Sequence, residues 1–173
     1  ESKADFGGGR MEIINDNDQK KILITTSDYS GKHAQNPNSP YGKILEINLI
    51  TNQYNIFSLG HRNPQGLVLI NDQIFSIEHG PQGGDELNKI IEGKNYGWPT
   101  VSFGTKYGDG KSYLRSHNSK NFQKPFFTFL PAVAPSSLNV CPKNLSEYYE
   151  GYHCLMGLSL REMSVLIFLI DKN

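Results

Sequence analysis

Three hairpins recur along this chain, and that repeat restricts the fold more than any other feature. The first is RMEIINDNDQKKILITTSD, an apolar run, a polar turn, a second apolar run and an acid. The second is QGLVLINDQIFSIEHG, with ND again at the turn and Glu78 near the end. The third is SSLNVCPKNLSEYYEGYHCLMGLS, with a longer turn. A further strand-like run follows each one: GKILEINL, DELNKI and SVLIFLID, with a fourth, YNIFSL, completing the first unit. Sheets of four short strands repeating at roughly forty to fifty residues are the mark of a β-propeller. One such sheet cannot cover both of its faces and must stack on neighbours around an axis. An open β-sandwich with accidentally similar hairpins is the competing reading.

The fold class is therefore all-β, with blade-like units over 7–58, 59–102 and 125–173 and a polar insertion over 103–124. The insertion is expected between blades, over a binding face. Helical turns are expected only in SEYYEGYH and KNFQKPFF. With 17 Gly, 9 Pro, 9 Tyr and 9 Phe, the composition suits short strands and turns better than a helical bundle. Lys plus Arg number 17 and Asp plus Glu 17, so the net charge gives no reason to expect nucleic acid or an anionic membrane as partner. No apolar stretch is long enough to span a bilayer. The chain opens on ESKADFGGGR and closes on LIDKN, ends that read as those of a fragment or a processed chain. Cys141 and Cys154 either pair in an oxidising compartment or stay as two buried thiols.

Chemistry concentrates in three stretches. In GHRNPQG, Arg62 carries a planar fork of donors suited to carboxylates, and Asn63 adds a donor and an acceptor. Pro64 fixes the turn, and Gly60 and Gly66 are expected to let the backbone bend. The motif predicts an anionic ligand in a central funnel; an Arg tying blades together through carbonyls is the alternative. In EHGPQGGDELN, the Gly80 and Pro81 carbonyls are aimed by a rigid turn and followed by Asp85 and Glu86, oxygen ligands of the kind calcium takes. Two solvated acids after a tight turn are the alternative, and His79 is expected to pack. In GKNYGWPTVSFG, Tyr96 and Trp98 read as an aromatic corner. No hydrolase triad, Rossmann fingerprint or phosphate loop is legible.

The order of GHRNPQGL, EHGPQGGDELN, NYGWP and PAVAPSS resembles the soluble quinoprotein sugar dehydrogenases, the glucose/sorbosone dehydrogenase family. The stretches GGGR…ILITTSD and AQNPNSPYGKILEINL fit the same pattern, so the resemblance covers nearly the whole chain. It implies a six-bladed β-propeller, of which this chain holds about three blades. Members hold pyrroloquinoline quinone (PQQ) and calcium in the funnel, oxidise aldoses at C1 and pass electrons to an external acceptor. By resemblance, Arg62 and Asn63 contact the quinone, and Arg161 stands where the family has a cofactor-binding Lys. The Gly80 and Pro81 carbonyls hold one calcium; Glu86 and the Tyr96 carbonyl match a second, structural one. Asp28 matches an acid that orients the catalytic base. A periplasmic or secreted location follows from the same resemblance. Two three-bladed halves closing a ring by two-fold symmetry is a partner expectation.

Three departures stand against this pattern. The family's catalytic His falls on Asp5 or Phe6; Phe cannot take a proton, and Asp can do so only with a raised pKa. Ala132 replaces a polar pocket residue, and later cofactor-contacting arginines would lie beyond Asn173. A non-catalytic propeller of the same family, binding a carbohydrate or protein partner, is therefore the alternative function.

Overall fold

The computed structural model describes residues 7–16, 19–114, 117 and 121–172. The first sheet is a meander of β1 (Gly8–Asp16), β2 (Gln19–Thr26), β3 (Lys43–Asn48) and β4 (Tyr54–Leu59). The second is β5 (Pro64–Ile70), β6 (Gln73–Glu78), β7 (Asp85–Ile90) and β8 (Phe127–Phe129). The third holds β9 (Pro135–Val140), β10 (Tyr152–Ser159) and β11 (Ser164–Asp171). All neighbouring strands pair antiparallel. The first strands of the sheets, β1, β5 and β9, pack side by side in that order, as inner strands of successive blades do.

Two apolar layers hold the blades together. Leu23, Ile44 and Phe57 of the first sheet meet Leu67, Ile74 and Ile90 of the second. Val68, Phe75, Ile77 and Leu87 of the second meet Leu138, Leu155 and Ile170 of the third. Because side chains alternate along a strand, β5 sends Leu67 to one layer and Val68 to the other, and β6 divides Ile74 from Phe75 and Ile77. The middle sheet is thus covered on both faces, so β6 is buried from Ile74 through Glu78. The outer sheets are not. Met11 is 63% exposed on β1, and on β11 Val165 is 55% exposed with Ile167 and Leu169 beside it. The arc of three blades ends in apolar faces of the kind a further blade covers.

The structure differs from the sequence reading in four places. The polar insertion falls within the second sheet, between its third and fourth strands, because Phe127–Phe129 pairs with β7 and not with the third sheet. The helix is α1 (Lys143–Tyr148), so only the start of SEYYEGYH is helical and its end opens β10. The described part of KNFQKPFF is not helical and leads into β8. Gly60 sits at φ +80, as a bend needs, but Gly66 lies in β5, where an added Cβ would meet Leu138 N at 2.6 Å. The second glycine of GHRNPQG therefore serves close approach between inner strands.

Cys141 and Cys154 form a disulfide across a sequence separation of 13, closing the excursion that carries α1. Closing a loop of that size stabilises the folded state by roughly 3 kcal/mol. Among the described residues no helix is long and apolar enough to cross a membrane.

Candidate functional site

The second sheet supplies the centre of the site. Arg62 precedes β5, and the turn His79–Gly84 joins β6 to β7. Arg62 Nη1 donates to the Gly80 carbonyl at 2.6 Å and to the His79 carbonyl at 3.3 Å. The guanidinium lies 5.3 Å from the Tyr29 ring centroid, 5.4 Å from Trp98 and 5.9 Å from Tyr107. Such an aromatic cage is favourable for a cation that has lost water. Burial lowers its pKa, opposed by the surrounding tyrosines and Glu78. Its Nε is buried without a hydrogen-bond partner. A buried donor left unmade costs about 1–3 kcal/mol, which makes Arg62 a receptor in need of an acceptor.

Beside it lies an acid pair, Glu78 buried and Glu86 half-buried. Glu78 Oε1 meets His61 Nδ1 at 3.1 Å, and Glu78 Oε2 accepts from the Arg62 amide at 2.9 Å. His61 is fully buried, reaches Ser58 Oγ at 2.9 Å and stacks on Tyr96 with centroids 4.7 Å apart. Burial works against the Glu78 charge, but His61 and the Arg62 and Asn63 amides outweigh it and hold the carboxyl below its ordinary value. Asn88 Nδ2 bridges Glu78 Oε1 at 2.7 Å and Glu86 Oε2 at 3.3 Å. Burial, then the neighbouring Glu78 charge, pushes the Glu86 carboxyl up to about 8. Asn88 Oδ1 is buried without a partner.

Arg62, Gly80, Pro81, Glu86 and Tyr96 line one cavity of about 20 Å³, room for a single water or ion. Arg161 lies across an adjoining groove of about 240 Å³ that shares Gly80 and Pro81 and adds Tyr107 and Ala132. Its Nη1 donates to the Ala132 carbonyl at 3.4 Å. Asn63 lies apart from both, toward the inner strands: its Oδ1 accepts from Ser27 Oγ at 2.9 Å and Gln65 Nε2 at 2.7 Å. Asp28 is also outside the cavity. Its carboxylate accepts from Ser30 Oγ and the Gly31 amide at 3.0 Å, His33 N at 2.6 Å and Ala34 N at 2.7 Å. Its amide donates to the Arg62 carbonyl at 2.9 Å, and its carbonyl accepts from Trp98 Nε1 at 2.7 Å. Asp28 thus organises the loop beneath Arg62. Asp5 and Phe6 lie outside the described residues.

Two expectations for single residues change. Asp85, read beside Glu86 as an oxygen ligand or a solvated acid, is a clamp between blades. Its Oδ1 accepts from Gly80 N at 3.0 Å, and its Oδ2 from Val133 N at 2.9 Å and Ala134 N at 2.7 Å. Trp98, expected to serve as an aromatic corner, also forms one wall of the Arg62 cage. His79 packs as a tie between blades through Nε2 and the Pro135 carbonyl at 2.6 Å. The residues the motifs did not reveal are His61, Glu78, Asn88 and Tyr107. The first two flank named residues, and their burial with a shared hydrogen bond was the missing signal. Tyr107 sits in the polar insertion, where nothing in the local sequence marks it.

The cavity is lined by carboxylate and carbonyl groups, oxygen donors of the kind calcium takes. Glu78 is buried and Glu86 half-buried beside it with its carboxyl pushed up to about 8, and a divalent ion beside them would favour the ionised form of both. Among the described residues no group of three or more His, Cys, Asp or Glu gathers in a form that could hold a metal. An oxygen set of this kind needs carbonyls and water to complete it, as calcium accepts and softer metals do not. The Gly80 carbonyl is engaged by Arg62, so an ion there would share it with the guanidinium. Arg62 lines the small cavity and Arg161 the adjoining groove, two cationic donor sets of the kind a polycarboxylate such as PQQ takes.

The comparisons agree with the architecture. The Glucose / Sorbosone dehydrogenase family model matches residues 1–173. An uncharacterized protein of Synechocystis is 37% identical over 139 residues, 72% of this chain and 34% of that protein. Quinoprotein glucose dehydrogenase B of Acinetobacter calcoaceticus is 42% identical over 92 residues, 46% of this chain and 19% of that protein. The chain thus matches about a third or less of the length of these curated relatives. The apo-form soluble aldose sugar dehydrogenase of Escherichia coli superposes with a TM-score of 0.76 at 22% identity, over 93% of this chain and 50% of that one. A PQQ-bound aldose sugar dehydrogenase of Streptomyces coelicolor gives 0.65 at 23% identity, over 96% and 46%. The likeness in fold is to about half of a sugar dehydrogenase propeller. With the family pattern spanning the whole chain and the blades stacked as described, this chain belongs to the glucose/sorbosone dehydrogenase family.

Proposed function

We propose that this chain supplies part of the site of a PQQ-dependent dehydrogenase that oxidises an aldose at C1 and passes the electrons to an external acceptor. The observation that carries the reading is Arg62: a half-buried, aromatic-caged guanidinium with a buried, unpartnered Nε, beside a carbonyl turn whose other side lines the groove of Arg161. PQQ has three carboxylates, and paired arginines are the side chains that bind such a group with two parallel hydrogen bonds. In this reading Arg62 and Arg161 hold the cofactor, and Asn63, bonded to Ser27 and Gln65 away from both cavities, braces the turn that carries Arg62. The Gly80 and Pro81 carbonyls hold one calcium, and Glu86 with the Tyr96 carbonyl holds another. When bound, the quinone supplies the two-electron acceptor for the sugar.

The chain's own residues then orient and exclude. Trp98 and Tyr29 cover part of the Arg62 guanidinium, which lowers its contact with water and strengthens its bonds to an anion. Asp28 sets the height of that guanidinium through the Arg62 carbonyl and the Trp98 indole. It is a positioning residue in this reading. The disulfide Cys141–Cys154 supports an oxidising compartment, hence a periplasmic or secreted protein. The exposed apolar faces of β1 and β11 support closure of the arc by further blades or by a second copy.

A specific observation favours a second reading. Asp5 or Phe6 stands where the family has its base, so a propeller that binds a carbohydrate or a protein partner without oxidising it is the alternative. Calorimetric titration of PQQ into the full chain, with and without calcium, separates the two when combined with an aldose-dependent dye-reduction assay. Saturable, calcium-dependent binding that weakens at least about tenfold in Arg62→Ala supports the cofactor reading, because bonds to a charged group are each worth about 1.5–3 kcal/mol. Binding without dye reduction selects the second reading, and no binding by the folded protein overturns the first.

A further inference from the structure

The insertion between β7 and β8 is anchored, not loose. Gln82 and Thr105 exchange backbone hydrogen bonds at 3.1 and 2.9 Å, and Ser102 N donates to the Leu114 carbonyl at 3.0 Å. The two backbones touch: a Cβ on Gly84 would lie 2.4 Å from Gly104 N, and one on Gly104 would lie 2.5 Å from the Gly83 carbonyl. From this base the chain turns tightly, with Lys106 N donating to the Lys111 carbonyl at 2.8 Å. Tyr113 packs on Trp98 with centroids 5.2 Å apart, fixing the other arm.

Tyr107 stands on that turn. The residue is 69% exposed, yet its ring lies 5.9 Å from the Arg62 guanidinium and it lines the groove of Arg161. The doubly anchored hairpin thus holds an exposed aromatic face beside a half-buried cation and at the edge of the groove. We infer that Tyr107 is the stacking platform for the planar ring of a carboxylated aromatic ligand whose acids reach Arg62 and Arg161. The ring supplies a flat apolar face, and the two arginines set which anions are admitted. The inference rests on the proposed cofactor site and adds the residue that recognises its ring.

The test uses two probes, PQQ and benzene-1,3,5-tricarboxylate, each titrated by calorimetry into the wild-type chain, Tyr107→Phe and Tyr107→Ala. Circular dichroism checks that each variant is folded. An aromatic pair adds roughly two- to twelvefold to affinity, so Tyr107→Ala is expected to weaken binding by that factor, while Tyr107→Phe binds as wild type does. Equal binding by Tyr107→Ala overturns the platform and leaves the PQQ reading standing. Loss in Tyr107→Phe equal to that in Tyr107→Ala assigns the effect to the hydroxyl and also overturns it. Tyr107-dependent binding of the tricarboxylate with none of PQQ keeps the platform and removes the PQQ reading. Binding of neither probe overturns both.

Discussion

Glu78 and Glu86 stand side by side on β6 and β7 and share one amide, Asn88 Nδ2, at 2.7 and 3.3 Å. The two acids are not equivalent. His61 and two backbone amides hold Glu78 ionised against its burial, and burial with the Glu78 charge keeps Glu86 protonated well above the ordinary range.

The Glu86 shift has a definite pH consequence. Its carboxyl titrates near 4.5 when unfolded and at about 8 when folded, so the folded state binds the extra proton between those values. Stability from this group is fully present below pH 4.5 and is lost as pH rises through about 8. Thermal melts in a chelator should show that decline, and Glu86→Gln should flatten it. Calcium needs the ionised carboxylate, so its stabilising effect should grow over the same window and vanish in Glu86→Gln. A calcium effect independent of pH would remove Glu86 from the metal site.

Asp85 joins the second blade to the third through three amides, from Gly80, Val133 and Ala134. Asp85→Ala leaves those donors without an acceptor in a buried place. It should cost about 3 kcal/mol, read as a lower urea midpoint at unchanged slope. Since the same residue shapes the Gly80 turn, ligand binding should weaken as well. A variant as stable as wild type would mean the amides find water.

Gly66 and Leu138 lie on adjacent inner strands at a distance that excludes a methyl group: the added Cβ would sit 2.5 Å from Leu138 Cβ. Both contacts are to stiff parts of the chain, so Gly66→Ala should push β5 from β9 and cost about 1–3 kcal/mol. Gly9 is the control, since a Cβ there meets nothing within 4 Å, although its φ of +83 still disfavours alanine. A Gly66→Ala chain that melts at or above the wild-type temperature would contradict the packing of β5 against β9.

The strands were legible in the sequence because alternation is local. GKILEINL and SVLIFLID contain their observed strands, QGLVLI holds all of β5 but Pro64, and the ND turn joining β5 to β6 was read directly. Arg62, Gly80, Pro81, Glu86 and Tyr96 were named from motifs, and the fold brings those five to one cavity. The insertion was misplaced because β8 is three residues long and its pairing with β7 spans more than thirty residues of chain, beyond any local pattern. Asp85 was read with the wrong partner for a related reason: its amide donors at 133 and 134 are supplied by another blade.

The amino-acid sequence by itself determined the class of fold, the number of blades and the residue types of the candidate site, because periodicity and turn chemistry act between near neighbours. Only the tertiary structure decided how those residues divide their work. Whether an acid is a clamp, a neutral carboxyl or an ionised one depends on which donors and charges are folded against it. Strand pairing within the second sheet brought His61 to Glu78 and set Asn88 between Glu78 and Glu86, and the fold of the insertion brought the turn bearing Tyr107 to Arg62. Burial then gave each contact its energy, by removing the water that would otherwise have answered every one of those groups.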